Sequence, residues 1–145
     1  MSNRNLDVLF VKPNNSSKIY QGLSTNYSAI ETPTWSLLLA ESCRSIGYDV
    51  AIMDTCAENL SDEESIERIK SLNPRLVCFV VYGQNVNAGT VNMSGAVRLS
   101  KAIKNFGVET PICFAWIRLG FITIQGEASR PLQVPDVACK LYRRG

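Results

Sequence analysis

The chain has 145 residues, of which 46% are hydrophobic and 19% are charged, and its formal net charge at pH 7 is +2. These values are typical of one globular domain with a buried core. The 15 basic residues are scattered, which predicts neither nucleic acid nor an anionic membrane as a partner. No apolar run is long enough to span a bilayer or to form a signal-peptide core, so we expect a cytoplasmic protein.

Histidine is absent from the chain, and the five cysteines are widely spaced. Without histidine the chain lacks the commonest general base, the commonest neutral metal ligand and every Ser–His or Cys–His nucleophile pair. The cysteines form neither CxxC nor CxxxCxxC, so no zinc ribbon or iron–sulfur cluster is predicted. Cys56, in a predicted loop, is interpreted as a bystander rather than a reactive thiol.

The N-terminal part of the chain begins with a strand and a long polar connection. The apolar run Asp7–Val11 predicts a buried parallel strand. The polar stretch 13–33 that follows is long for a connection in a compact domain, which favours a functional segment.

A helix and a second strand come next. Pro33 presets a first helical turn, Thr32 is predicted as its N-cap, and apolar residues then recur at helical spacing up to Gly47. Tyr48–Met53 is predicted as the second strand, which ends at Asp54.

The third strand is expected at the centre of the sheet. Ser61 and Glu64 form a capping box that starts a second helix, and Asn73-Pro74 ends it. Leu76–Val81 is the most apolar strand of the chain, which is typical of a central position.

The rest of the chain continues the alternation and then departs from it. A polar loop, 82–89, leads to a helix over Thr90–Phe106, and Pro111–Trp116 is predicted as the fourth strand. Residues 117–145 form an atypical C-terminal segment, in which Val134–Tyr142 is predicted as a fifth, edge strand with no closing helix after it.

The alternation predicts one α/β domain over 1–145, with a doubly wound, parallel, five-stranded sheet of flavodoxin-like order 2-1-3-4-5 that lacks the last helix. Ligands of such sheets bind beyond the carboxyl ends of the strands, at the switch point between strands 1 and 3. The polar stretches 13–33 and 82–89 follow those two strands, so we expect both at this carboxyl edge.

The stretch Tyr82–Thr90 reads YGQNVNAGT and is the main candidate site. Asn and Gln side chains offer donors and acceptors that suit a ligand edged with amides, and a following helix N-terminus can receive an anion such as a phosphodiester. A turn that merely caps a helix is the alternative, but it does not explain the whole polar run.

Two further groups at the same edge are weaker candidates. The hydroxyls of Thr32 and Thr34 surround the predicted helix start. Asp54, with Glu58 and Asn59, ends strand 2 in the manner of a ribose-binding acid, but a surface turn is favoured because no GxGxxG follows strand 1. The absence of GxxxxGK[ST] likewise excludes a P-loop.

The segments IETPTWSLLLAESCRSIGYDVAIMDTCAENLS, 30–61, and VVYGQNVNAGTVNMSGAVRLSKAIK, 80–104, resemble the cobalamin-binding N-terminal domain of cobalamin-dependent radical S-adenosylmethionine enzymes. The resemblance extends over about residues 7–114, and YGQNxNA is its most specific part. It implies a corrinoid at the carboxyl edge, bound base-off without a protein histidine ligand. The histidine of the D-x-H-x-x-G motif, which ligates cobalt in other cobalamin domains, has no counterpart here.

The resemblance, with the threonines and acid at the same edge, defines the predicted cofactor-binding residues. They are Thr32, Pro33, Thr34, Asp54, Tyr82, Gly83, Gln84, Asn85, Asn87 and Thr90. The implied role is a cofactor carrier that presents cobalamin to a radical S-adenosylmethionine barrel domain or protein, with no catalytic residue of its own.

Two features depart from the family pattern. Residues 115–120, AWIRLG, stand where the family has a Gly-rich turn after strand 4, and the barrel with its CxxxCxxC loop is not in this sequence. The alternative is therefore a flavodoxin-like interaction module that has lost its cofactor. A small stand-alone enzyme is disfavoured, because no nucleophile–base pair is visible.

Overall fold

The strands and helices alternate along most of the described chain. The computed structural model describes residues 6–14, 31–82, 86–118, 121–126 and 132–133, and describes side chains over 6–14, 31–82 and 92–115. The elements in chain order are β1 (Val8–Lys12), α1 (Thr34–Ser45), β2 (Val50–Asp54), α2 (Asp62–Leu72), β3 (Leu76–Val81), α3 (Val86–Asn105), β4 (Ile112–Arg118), β5 (Phe121–Gly126) and β6 (Leu132–Gln133).

Within the described residues the sheet has six strands in the order β2-β1-β3-β4-β5-β6. The pairs β1–β2, β1–β3 and β3–β4 are parallel, whereas β4–β5 and β5–β6 are antiparallel. Four parallel strands and three helices in this part of the chain confirm an α/β architecture and are consistent with a flavodoxin-like fold.

The prediction of five parallel strands is not confirmed. Only residues 119 and 120 separate β4 from β5, and so short a connection permits an antiparallel hairpin but not the crossover that a parallel pair requires. The fifth strand predicted at Val134–Tyr142 lies outside the described residues.

The core lies on both faces of the central strands. One face of the sheet, including Leu9 and Phe79, packs against α2 and α3, while Phe10 and Val80 on the other face pack against α1. Successive side chains of a strand point to opposite faces, so a continuous apolar run is buried on both sides. Phe79 stacks on Phe114 of β4 with ring centroids 5.5 Å apart.

The helix boundaries differ from the sequence predictions in two places. Helix α3 begins at Val86, four residues before the predicted start at Thr90, despite the low helix propensity of the Asn and Gly residues in between. The N-cap of α1 is Pro33 rather than Thr32. The stripe of α1 that faces the sheet includes Ser36 and Ala40, which leaves the apolar Leu38 56% exposed.

The predicted capping box of α2 is confirmed. The Ser61 hydroxyl accepts from the Glu64 N–H at 3.1 Å, and the Glu64 carboxylate accepts from the Ser61 N–H at 2.8 Å. Two N–H groups that the helix itself cannot satisfy are thereby paired.

We expect Ser61→Ala to lower the free energy of unfolding by about 1 kcal/mol, because the Glu64 N–H loses the hydroxyl that accepts its hydrogen bond, whereas the backbone N–H of residue 61 can still donate to the Glu64 carboxylate. Urea denaturation followed by circular dichroism measures the change. The control is Ser71→Ala on the same helix, an exposed residue whose hydroxyl donates only to the Arg68 carbonyl. Equal stability of the two variants would contradict the prediction.

Candidate ligand-binding site

The carboxyl ends of β1, β2 and β3 meet at one edge of the sheet. Lys12 ends β1 and lies opposite Asp54, the last residue of β2, in the parallel register. β3 ends at Val81, so Tyr82 leaves the sheet at the same edge. Helices that run back along a parallel sheet start at this edge, which brings the first turn of α1 beside the strand ends.

Lys12 and Asp54 form an ion pair at this edge. Their side chains are 13% and 9% exposed, and Lys12 Nζ lies 3.1 Å from Asp54 Oδ2. Asp54 Oδ1 accepts the N–H groups of Cys56 at 3.1 Å and Ala57 at 3.0 Å. Since both carboxylate oxygens are engaged, Asp54 orders the turn after β2 as well as binding Lys12.

The same lysine also binds the segment in front of α1. Lys12 Nζ donates to the Glu31 carbonyl, and the Tyr82 hydroxyl donates to the Thr32 carbonyl at 2.9 Å. Two consecutive carbonyls are therefore held by side chains from the ends of β1 and β3. The start of α1 is tied to the switch point by these contacts.

Tyr82 is fixed on its backbone side as well. The Asn92 side-chain amide of α3 donates to the Tyr82 carbonyl at 2.7 Å. Burial, followed by the nearby Glu31 and Asp54 carboxylates, raises the pKa of the Tyr82 phenol. The phenol thus stays protonated at neutral pH and can donate to Thr32.

The N-terminus of α1 contrasts with that of α2. In the described part of the chain no side chain caps α1, its N-cap residue is Pro33, and its first turn contains no acidic residue. The first turn of α2 contains Asp62, Glu63 and Glu64 and is capped by Ser61. The N–H groups and the positive dipole end of α1 are therefore not compensated by side chains of its own first turn.

Ser36, in the first turn of α1, is a buried polar residue. Its side chain is 0% exposed, and among the described residues its Oγ has no hydrogen-bond partner. An unsatisfied buried hydroxyl costs about 1–3 kcal/mol. Such a group at the carboxyl edge is a candidate contact for a ligand.

The structure places five predicted site residues at one edge of the sheet. Thr32, Pro33 and Thr34 form the start of α1, the Tyr82 hydroxyl donates to the Thr32 carbonyl, and Asp54 ends β2 at the same edge. Asn87 and Thr90 lie within the first turns of α3, not in a loop. The remaining predicted residues, Gly83, Gln84 and Asn85, lie outside the described residues.

Sequence reasoning missed Lys12, Ser36 and Asn92. The sequence did contain a signal for Lys12. Lys12 ends the first predicted strand and Asp54 ends the second, and the ends of two neighbouring parallel strands lie side by side. Ser36 and Asn92 offered no comparable signal, since either residue type is common on the solvent face of a helix.

Of the cysteines in the described residues, Cys78 and Cys113 are buried, whereas Cys43 and Cys56 are partly exposed. Burial is the main influence that raises the pKa of the Cys56 thiol, with Lys12 acting in the opposite direction. Cys78 and Cys113 lie opposite each other on β3 and β4. A hydrogen bond to the Cys113 thiol, followed by burial, raises the pKa of Cys78. Neutral thiols are poor nucleophiles, which agrees with the interpretation of Cys56 as a bystander.

Across the described ranges there is no group of three or more His, Cys, Asp or Glu side chains arranged to hold a metal ion. None of the helices in those ranges combines the length and apolar character needed to cross a bilayer. No protein-family model matches the chain, and a search of curated proteins finds no significant match.

We expect Lys12→Met to lower the free energy of unfolding by about 2–3 kcal/mol, because Asp54 is then a nearly buried carboxylate without its cation. The double variant Lys12→Met/Asp54→Asn should recover part of this loss, since the unpaired charge is removed. Urea denaturation of the wild type, both single variants and the double variant measures the coupling. Additive effects of the two substitutions would show that the ion pair does not organise this edge.

Proposed function

We propose that the chain binds cobalamin at the carboxyl edge between β1 and β3. The observation that carries the proposal is the hydrogen bond from Tyr82 to the Thr32 carbonyl. It joins the start of α1 to the first residue of the YGQN stretch, the two segments on which the family resemblance rests. In a doubly wound sheet this is the switch point where ligands bind.

The chemistry of the edge suits a corrinoid. Cobalamin is bordered by amide side chains, and amides pair best with groups that both donate and accept. The residues that would hold it are the Thr32–Thr34 segment, Tyr82, Gln84, Asn85 and Asn87, with the Ser36 hydroxyl as a further donor. Because the chain contains no histidine, binding without a protein histidine on cobalt is the expected mode. When bound, cobalamin supplies a cobalt centre that carries a methyl group.

The role that follows is that of a carrier domain. The described residues offer hydrogen-bonding groups at the edge, and without histidine the sequence contains no Ser–His or Cys–His pair. We therefore propose that the domain presents cobalamin to a radical S-adenosylmethionine barrel, either fused to it or in a separate protein.

The second candidate is an interaction module without a cofactor, and the β4–β5 hairpin favours it. β3 ends at Val81, opposite Trp116, but β4 and β5 continue to pair through Ile117 and Arg118. Two further residues extend the hairpin about 7 Å past the end of β3. This projection lies on the side of β3 away from β1, where it would limit how far a ligand at the switch point could extend over β4.

Purified protein mixed with hydroxocobalamin and desalted should retain the corrinoid at a ratio near one to one, because the contacts of Lys12, Asp54 and Tyr82 already hold part of this edge and so reduce the cost of ordering it. Absorbance spectra of the desalted protein give the ratio and report on the cobalt ligands. A colourless protein that shows no thermal shift with excess cobalamin would exclude the carrier function and leave the interaction module.

The variant Gln84→Ala/Asn85→Ala should bind cobalamin at least about tenfold more weakly, since two hydrogen bonds of about 0.5–1.5 kcal/mol each are lost. Its melting temperature should stay close to that of the wild type, because the sequence predicts both residues in a polar loop and surface substitutions usually cost less than about 0.5 kcal/mol. Asn105→Ala, at the far end of α3, is the control. A collapse in melting temperature with unchanged affinity per folded molecule would assign the stretch a structural role.

A further inference from the structure

We propose that the outer face of α1 is a dimer interface, at which a second copy of this chain packs its own α1 in the antiparallel direction. The outer face consists of five exposed residues, Leu37, Leu38, Glu41, Arg44 and Ser45. The inference goes beyond the proposed function, because the contact requires neither cobalamin nor the residues at the carboxyl edge of the sheet.

The outer face points away from the sheet. Ser36 and Ala40 are the buried residues of α1 and face the sheet. An α-helix has about 3.6 residues per turn, so residues at positions i, i+3 and i+7 form one stripe. Leu38, Glu41 and Ser45 follow this spacing and lie opposite the buried side, with Leu37 and Arg44 beside them. This stripe is therefore available to another molecule.

Large apolar side chains are exposed at both ends of the helix. Leu37 and Leu38 are 48% and 56% exposed, and Ile46 and Tyr48, which directly follow the helix, are 43% and 37% exposed. The Tyr48 N–H donates to the Cys43 carbonyl at 3.2 Å, which keeps Tyr48 beside the last turn. These are four of the seven large hydrophobic side chains exposed in the described residues. Such a concentration is typical of a surface that binds another protein.

A charged pair lies between the two apolar ends. Glu41 and Arg44 are about one turn apart, their side chains are 74% and 60% exposed, and 3.8 Å separates Glu41 Oε2 from Arg44 Nη1. So exposed an ion pair contributes little to the stability of the fold. Both groups remain accessible to a second molecule. The order along α1 is thus apolar, acidic, basic, apolar.

This order is self-complementary in the antiparallel direction. A two-fold axis that passes between Glu41 and Arg44 brings Glu41 of each copy beside Arg44 of the other. Leu37 and Tyr48 lie equally far from that axis in sequence, so the apolar ends of the two copies meet as well. A parallel copy would bring Glu41 beside Glu41 and Arg44 beside Arg44, and like charges repel. The charge order therefore favours a second copy of this chain in one orientation.

The size of the contact sets its strength. Helix α1 has 12 residues, which corresponds to a length of about 18 Å. One helix pair of this length buries less than the roughly 800 Å² per partner that is typical of a stable complex. The dimer therefore forms reversibly and at high protein concentration.

The first test is the oligomeric state of the full chain, measured by sedimentation equilibrium between about 10 μM and about 1 mM. We expect the dimer fraction of the wild type to rise across this range. Leu38→Gln should dimerise at least about tenfold more weakly, because glutamine keeps the helix propensity of leucine but removes its apolar contact. The control Phe106→Gln, at a side chain 55% exposed just after α3, should dimerise like the wild type.

Charge reversal tests the antiparallel geometry. Glu41→Arg gives each copy two cations and Arg44→Glu gives each copy two acids, so each variant alone should dimerise at least about tenfold more weakly. An equimolar mixture of the two should dimerise like the wild type, because every cation then meets an acid of the other chain. The ion pair within one chain cannot produce this recovery. The control is Glu67→Arg, at an exposed residue of α2, which should dimerise normally alone and should not restore Arg44→Glu in a mixture.

Three results would overturn the inference. They are a wild type that stays monomeric at about 1 mM, a dimer that Leu38→Gln or both charge reversals leave unchanged, and a mixture that associates no better than its separate components. Melting temperatures of all variants should stay close to that of the wild type, because the substituted side chains are exposed. Loss of dimerisation is then a property of the surface and not of the fold.

Discussion

The parallel pairing of β1 with β2 on one side and β3 on the other is the constraint on which the rest of the structure depends. It aligns three strand ends at one edge and puts Lys12 opposite Asp54. Parallel neighbours need crossover helices, and those helices cover both faces of the apolar strands. The edge is therefore the place where this part of the chain can expose polar groups without opening its core.

The polar contacts at this edge form a connected set. Lys12 links the ends of β1 and β2 to the segment before α1, and Tyr82 links that segment to the end of β3. The Lys12–Asp54 contact is partly buried and gains from the lower dielectric there, whereas the hydrogen bonds to the Glu31 and Thr32 carbonyls are exposed to solvent. Lys12, Asp54 and Tyr82 have partners within the protein and are structural contacts. The Ser36 hydroxyl has none among the described residues, which is why it is a candidate contact for a ligand.

The β4–β5 hairpin shows how a local connection changes a global topology. The first four strands obey the alternation that makes doubly wound sheets, and the short connection at residues 119–120 then reverses the direction of the chain. The hydrophobic pattern of the sequence does not indicate this reversal, because an apolar run is compatible with both a parallel and an antiparallel strand. The hairpin also extends beyond the end of β3 at the carboxyl edge. A ligand bound at that edge would therefore have the hairpin as a neighbour.

The sequence by itself determined the alternating elements, the central position of β3 and the capping box at Ser61. These features depend on residue pattern over a few turns or strand lengths, where propensity and hydrophobic period act directly. Only the tertiary structure decided the start of α3 at Val86, the hairpin direction, the ion pair of Lys12 and the burial of Ser36. Each of these depends on groups distant in the chain, since a pairing partner or its absence is set by how the elements pack.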